Sequence, residues 1–109
     1  MGCYLYVYGT LRPNTGETVE VSGVLYDLGH FPGIRLGGPG KVVCEKIEIP
    51  DETRFDQYEG YFPDDHEASL YIRRPCMDGF IYEFNRFPVS DDKIIHSGDW
   101  LEHKKQKKG

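Results

Sequence analysis

Disulfide chemistry has little to work with in this 109-residue sequence: the cysteines are only three, Cys3, Cys44 and Cys76, an odd count with no CxxC pair. That argues against a disulfide framework and against a structural zinc site. Long apolar runs are missing too, so no membrane-spanning helix is expected. The opening MGCYLYVYGT carries no basic segment and no cleavage pattern, so no secretion signal is read and a cytoplasmic location is the expectation. The four histidines, His30, His66, His96 and His103, have no partner at ligand spacing, and the acidic stretch Asp64 to Glu67 lacks the glycine turn of a calcium loop. No metal is therefore expected. Neither GxxxxGK nor GxGxxG occurs, which removes the common phosphate-binding loops.

Basic charge is also in short supply. Lys and Arg number 13 against 18 Asp and Glu, a net charge of −5. The segment Glu102–Gly109 holds four Lys and one Glu, +3, which leaves the rest of the chain at −8. An acidic body repels phosphate backbones, so nucleic acid is not an expected partner, although 15 aromatic residues and a Lys-rich end could suggest one. Residues 1–101 read as one domain, and 102–109 as a basic, solvated tail without order of its own.

What is present is a set of short strands punctuated by 13 glycines and seven prolines. Cys3–Tyr8 reads as a central strand, with Tyr4, Tyr6 and Tyr8 on one face and Leu5 and Val7 on the other. Thr18–Tyr26 is a second strand with a candidate bulge at Gly23. Gly29–Gly40, with five glycines and two prolines, reads as a loop or a wrapped edge segment. Lys41–Ile49 is a third strand whose alternation is imperfect, because Glu45 falls among Val43, Ile47 and Ile49. Residues 50–60 read as a short helix, capped by Asp51 and stopped by Gly60. Leu70–Arg73 and Phe80–Phe84 read as strands either side of a Cys76-Met77-Asp78-Gly79 turn, whose Asp-Gly pair is a hairpin signal. Ile94–Leu101 closes the ordered part. Five or six strands with one or two short helices predict an α+β fold, a small mixed β-barrel.

Two places carry candidate chemistry. At Tyr8-Gly9-Thr10-Leu11-Arg12 a central strand leaves through glycine, which can aim consecutive backbone N–H groups at one carboxylate or developing oxyanion; an ordinary glycine turn is the alternative. Glu59 sits at a helix end between Tyr58 and Gly60-Tyr61-Phe62, where aromatic surroundings would raise its pKa into the range of a general acid–base; an exposed glutamate is the alternative there.

Together these segments resemble the gamma-glutamylcyclotransferase-like family, specifically its small bacterial-type members. Val7-Tyr8-Gly9-Thr10-Leu11-Arg12 is similar to the family's YGTLR signature, and Phe55-Asp56-Gln57-Tyr58-Glu59-Gly60-Tyr61 to its LDxxEGY signature, with Phe55 in place of Leu. Gly23–Gly33 (GVLYDLGHFPG), Tyr71-Ile72-Arg73-Arg74 and Ser97-Gly98-Asp99-Trp100 match three further stretches in order. The resemblance spans residues 3–101. It implies a gamma-glutamylcyclotransferase-like mixed barrel with a cavity at the mouth of the first strand. It implies an enzyme that cyclises a gamma-glutamyl amine to 5-oxoproline, with no metal and no cofactor. By position, Glu59 becomes the catalytic acid–base and Tyr8, Gly9, Thr10 and Leu11 the substrate cradle. Tyr71 and Arg73 wall the pocket or support it. The implied partner is a small molecule with a gamma-glutamyl or similar carboxylate group, and the chain is expected as a monomer or weak homodimer. A non-catalytic module of the same fold, binding a small ligand or a protein, is the alternative.

Overall fold

The computed structural model describes residues 2–51, 53–56 and 58–107. Alternation in the first strand sets the architecture. β1 (Cys3–Val7) lies in the middle of a five-stranded sheet of order β2-β3-β1-β5-β4. Being central, it needs apolar side chains on both faces. Tyr6 and Tyr8 enter one core with Leu25, Ile34, Val42, Ile81 and Trp100. Leu5 and Val7 enter the other with Ile49, Tyr61, Tyr71, Tyr82 and Phe84.

β2 (Val19–Asp27) pairs antiparallel with β3, and its register shifts at Ser22/Gly23, where the bulge was expected. β3 (Pro32–Ile49) is longer than the sequence indicated: Pro32–Gly40, part of the glycine-rich segment expected to be a loop or a wrapped edge, is its first half. Gly37 and Gly38, at φ +97° and +84°, let the strand bend where side chains would be strained. One chain segment can thereby pair with β2 along Pro32–Leu36 and Lys41–Cys44 and then with β1 along Glu45–Ile49. This change of partner curls the sheet into a half-barrel, the mixed α+β architecture expected.

β4 (Tyr71–Cys76) and β5 (Gly79–Phe84) form the hairpin across the Cys76–Gly79 turn expected, with Met77 and Asp78 at its tip. β5 lies parallel to β1, through Leu5–Phe80 and Tyr6–Ile81. A 3-10 turn at Asp91–Lys93 precedes helix α1 (Trp100–Lys107). The helix runs through 102–107, where charge alone gave a solvated tail. Two contacts explain it: the Asp99 carboxylate accepts the Glu102 N–H at 3.2 Å, and Trp100 is buried in the first core. Residues 108 and 109 lie outside the described residues. The helix expected over 50–60 is, among its described residues, a run of tight turns, opened by the Asp51 carboxylate accepting the Thr53 N–H at 2.9 Å. Glu52 and Gln57, which fell within that expectation, lie outside the described residues. No helix among the described residues is long and apolar enough to cross a membrane.

A buried ion pair ties the end of β1 to the rest. Arg12 Nε donates to Glu45 Oε2 at 2.7 Å and Nη1 to Asp99 Oδ1 at 2.9 Å; the Arg12 and Glu45 side chains are 4% and 1% exposed. The N–H groups of Asn14 and Thr15 also donate to the Glu45 carboxylate, at 3.1 and 2.9 Å. Burial by itself raises the Glu45 pKa, but the Arg12 bond and the Thr15 and Asn14 donors outweigh it and hold the carboxyl below its ordinary value. Removing one partner leaves the other charged in the dark. Arg12→Ala is expected to cost about 3–5 kcal/mol in urea unfolding at pH 7. The wild-type contribution from Glu45 is complete above the unfolded-chain value of about 4.3 and fades as pH falls through the lower folded value. The Arg12→Ala protein should accordingly show a shallower acid dependence below pH 5.

Candidate functional site

The sequence leaves β1 through Gly9, and the reason for glycine there is contact: a Cβ would stand 2.8 Å from the Pro32 ring. The chain then closes a turn, with the Arg12 N–H donating to the Gly9 carbonyl at 3.1 Å. Held by Arg12 on one side and Pro32 on the other, residues 8–11 border a cavity of about 170 Å³.

The opposite wall comes from the turns at 53–60. The Glu59 N–H donates to the Phe55 carbonyl at 2.9 Å and the Tyr61 N–H to the Asp56 carbonyl at 2.8 Å. Asp56 fastens these turns to the sheet: its buried carboxylate accepts from Arg73 Nη1 on β4 and from the Tyr82 hydroxyl on β5, both at 2.5 Å. Glu59, three residues on, borders the cavity.

Burial raises the Glu59 pKa to about 7. Its neighbours explain why nothing offsets that rise. Tyr8, Tyr71 and Tyr82 also border the cavity, and each has its own pKa raised, first by burial and further by the Glu59 charge. Their hydroxyls are committed elsewhere: Tyr8 to the Tyr82 carbonyl, Tyr71 to the Pro32 carbonyl at 2.7 Å, Tyr82 to Asp56. The phenols therefore exclude water from the carboxylate without donating to it. A carboxyl in such surroundings exchanges protons near neutral pH, the property a general acid–base needs.

Of the residues singled out from the sequence, Tyr8, Gly9, Thr10, Leu11, Glu59 and Tyr71 border this one cavity. Arg73 does not; it spends its charge on Asp56 and lies over the Tyr61 and Phe80 rings. Tyr6, Val7, Phe31, Pro32, Tyr58, Leu70 and Tyr82 complete the lining. Tyr6 and Val7 lie on β1 just before Tyr8, and Tyr58 lies beside Glu59, but sequence reasoning missed Phe31, Pro32, Leu70 and Tyr82, which come from the β2–β3 connection, the start of β3, the entry to β4 and β5, and no local pattern brings them together. Two supports had a readable signal: Glu45 interrupts an apolar strand face, and Asp56 lies inside the Glu59 signature. None of the cysteines is among the residues that border the cavity, and burial raises the Cys44 thiol to about 12. No cluster of three or more His, Cys, Asp or Glu among the described residues could hold a metal ion.

Because its folded pKa is raised, Glu59 opposes folding once the unfolded chain ionises. Its cost is absent below about pH 4, grows between there and about 7, and is constant above. Glu59→Gln should match the wild type in stability at pH 3.5 and exceed it at pH 8, by on the order of 3 kcal/mol. Urea unfolding at the two pH values checks this.

The profile of the family "Gamma-glutamyl cyclotransferase, AIG2-like" matches residues 5–102. Among curated proteins, the chain is 30% identical over 113 residues to the gamma-glutamylcyclotransferase family protein YtfP of Escherichia coli strain K12, covering 93% of this chain and 98% of that one. It is 28% identical to the corresponding protein of Citrobacter rodentium, covering 90% and 95%. Among solved structures, YkqA from Bacillus subtilis superposes with a TM-score of 0.69 at 24% identity, over 99% of this chain and 43% of YkqA. The uncharacterised protein PH0828 from Pyrococcus horikoshii gives 0.65 at 22% identity, over 97% and 96%. These two likenesses speak for the fold. The family match and the sequence relatives go further: this chain belongs to the gamma-glutamyl cyclotransferase, AIG2-like family, and its function is of the gamma-glutamylcyclotransferase-like kind.

Proposed function

We propose that this protein is a cyclotransferase that converts a gamma-glutamyl amide into 5-oxoproline and a free amine. The observation that carries the reading is the meeting of Glu59 and the 8–11 turn at one small cavity, fifty positions apart in sequence.

The nucleophile belongs to the substrate. Its α-amine attacks its own γ-carbonyl, forming the five-membered ring while the carbonyl electrons move onto oxygen. Ionised Glu59 takes the proton released by the attacking nitrogen. The tetrahedral oxyanion, or the substrate α-carboxylate, is met by the backbone N–H groups of Gly9, Thr10 and Leu11, for which no protein acceptor is recorded among the described residues. Collapse of the intermediate breaks the bond to the leaving nitrogen, to which Glu59 returns the proton. The protein's task is then to fold a flexible chain back on itself, worth up to ~7 kcal/mol of barrier through proximity, and to shuttle one proton. Such a task calls for no protein nucleophile and no cofactor.

The small cavity suits this task. About 170 Å³ confines a gamma-glutamyl group in few conformers. The aromatic walls keep Glu59 basic enough to accept a proton near neutral pH, yet acidic enough to give it back.

The test is release of 5-oxoproline from gamma-glutamyl alkylamides, followed by liquid chromatography. The kcat/KM is expected to rise with pH through about 7 as Glu59 ionises. Glu59→Gln, a near-isosteric change, should lower kcat by roughly 10²–10⁴ while ligand binding, followed by NMR shifts on adding 5-oxoproline, persists. Undiminished turnover by Glu59→Gln would remove Glu59 from the mechanism.

A further inference from the structure

The cavity is too small to hold a whole substrate. At about 170 Å³ it falls below the ~300 Å³ at which pockets for drug-sized ligands begin. If the gamma-glutamyl group fills it, the leaving amine must lie across the mouth. What the mouth offers is apolar: Phe31, Tyr58 and Leu70 border the cavity and are 40%, 68% and 36% exposed. Large apolar side chains left open to water in a cluster at a cavity entrance mark a surface that something covers. Phe31 is held there and is not a frayed tip. The Leu28 N–H donates to its carbonyl at 3.0 Å, and its ring stands edge-on to Tyr71 with centroids 6.4 Å apart.

Charge points the same way. Apart from Glu59, no Asp, Glu, Lys or Arg among the described residues borders the cavity. Phe31 and Leu70 also border a second, open groove, so they form a ledge joining the two. The groove's own charges, Asp27, Asp92, Lys93 and His103, lie beyond the ledge; Asp27 is engaged by His103 at 2.8 Å and by the Gly29 N–H at 2.8 Å, and Asp92 accepts from the Ser90 hydroxyl. A charged tip resting on Phe31 and Leu70 themselves would lose water with no partner from either side chain in exchange.

Resting on the cyclotransferase reading, we infer that the Phe31–Leu70 ledge is the leaving-group subsite and that it selects apolar amines, alkyl or arylalkyl, over amines with a charged tip. Phe31 and Leu70 are specificity-determining: they act on the differential binding of the departing group and take no part in proton transfer.

The experiment uses the full chain and three gamma-glutamyl amides of matched length: those of pentylamine, of 1,4-diaminobutane on one nitrogen, and of 5-aminopentanoate. Tips of methyl, ammonium and carboxylate are thus compared on the same four-methylene stem. The pentylamide is expected to show a kcat/KM about tenfold or more above both charged amides, the difference residing in KM. In Phe31→Ser and Leu70→Ser, each checked for folding by circular dichroism, the ratio of apolar to charged kcat/KM should fall at least fivefold. A charged amide turned over as well as the pentylamide, or a ratio unmoved in both variants, overturns the subsite. Failure of all three amides to give 5-oxoproline overturns the cyclotransferase reading and the subsite with it.

Discussion

One buried carboxylate, Glu45, holds together three parts of the chain that are distant in sequence. It stands opposite Val7 in the β1–β3 register and receives the Arg12 guanidinium. Arg12 in turn reaches Asp99, whose carboxylate also receives the Glu102 N–H at the start of α1. The turn that borders the cavity is therefore not a free loop. It is tied by charge to a central strand and to the terminal helix. Buried pairs of this kind contribute little net stability against an apolar alternative, but leaving one member alone is costly, so the arrangement enforces a particular geometry. The geometry it enforces is the position of Gly9, Thr10 and Leu11.

A second buried carboxylate does the same for the other wall. Asp56 joins the turns that carry Glu59 to Arg73 on β4 and Tyr82 on β5. The two signatures are thus alike in construction. Each has a charged residue that builds and a neighbour that faces the cavity: Arg12 beside the 9–11 backbone, Asp56 beside Glu59. The three phenols around Glu59 fit this division. Their hydroxyls are fastened to backbone or to Asp56, which leaves ring faces and edges to keep water from the acid. The raised pKa of Glu59 follows from its burial, with no hydrogen-bond donor to its carboxylate among the described residues to offset it.

Much of the fold was legible because period-2 alternation is a local property. β1 with apolar side chains on both faces reads as a central strand, and the Gly23 bulge and the β4–β5 hairpin were each signalled within a few residues. Misreadings arose where distant partners overrule local preference. Five glycines and two prolines in Gly29–Gly40 argue for a loop, yet β2 lies alongside and pairs with Pro32–Leu36 within that segment. The 50–60 segment has a helix-like cap and stop. Its hydrogen bonds go instead into successive turns, because Asp56 must reach Arg73 and Tyr82. Residues 102–107 have the charge of a solvated tail, but Trp100 and the Asp99 cap anchor the helix they complete.

By itself the sequence determined the family, the strand-rich mixed architecture, the acid in Tyr58-Glu59-Gly60 and the glycine exit after β1, since each is written in a handful of adjacent residues. Only the tertiary structure decided that these two segments share a cavity, that Phe31, Leu70 and Tyr82 wall it, and that Arg73 supports the wall from behind. Burial and pKa are properties of a three-dimensional neighbourhood. Glu59 acquires its poise near neutral pH from phenols at positions 8, 71 and 82, and nothing local in the chain announces that they will meet.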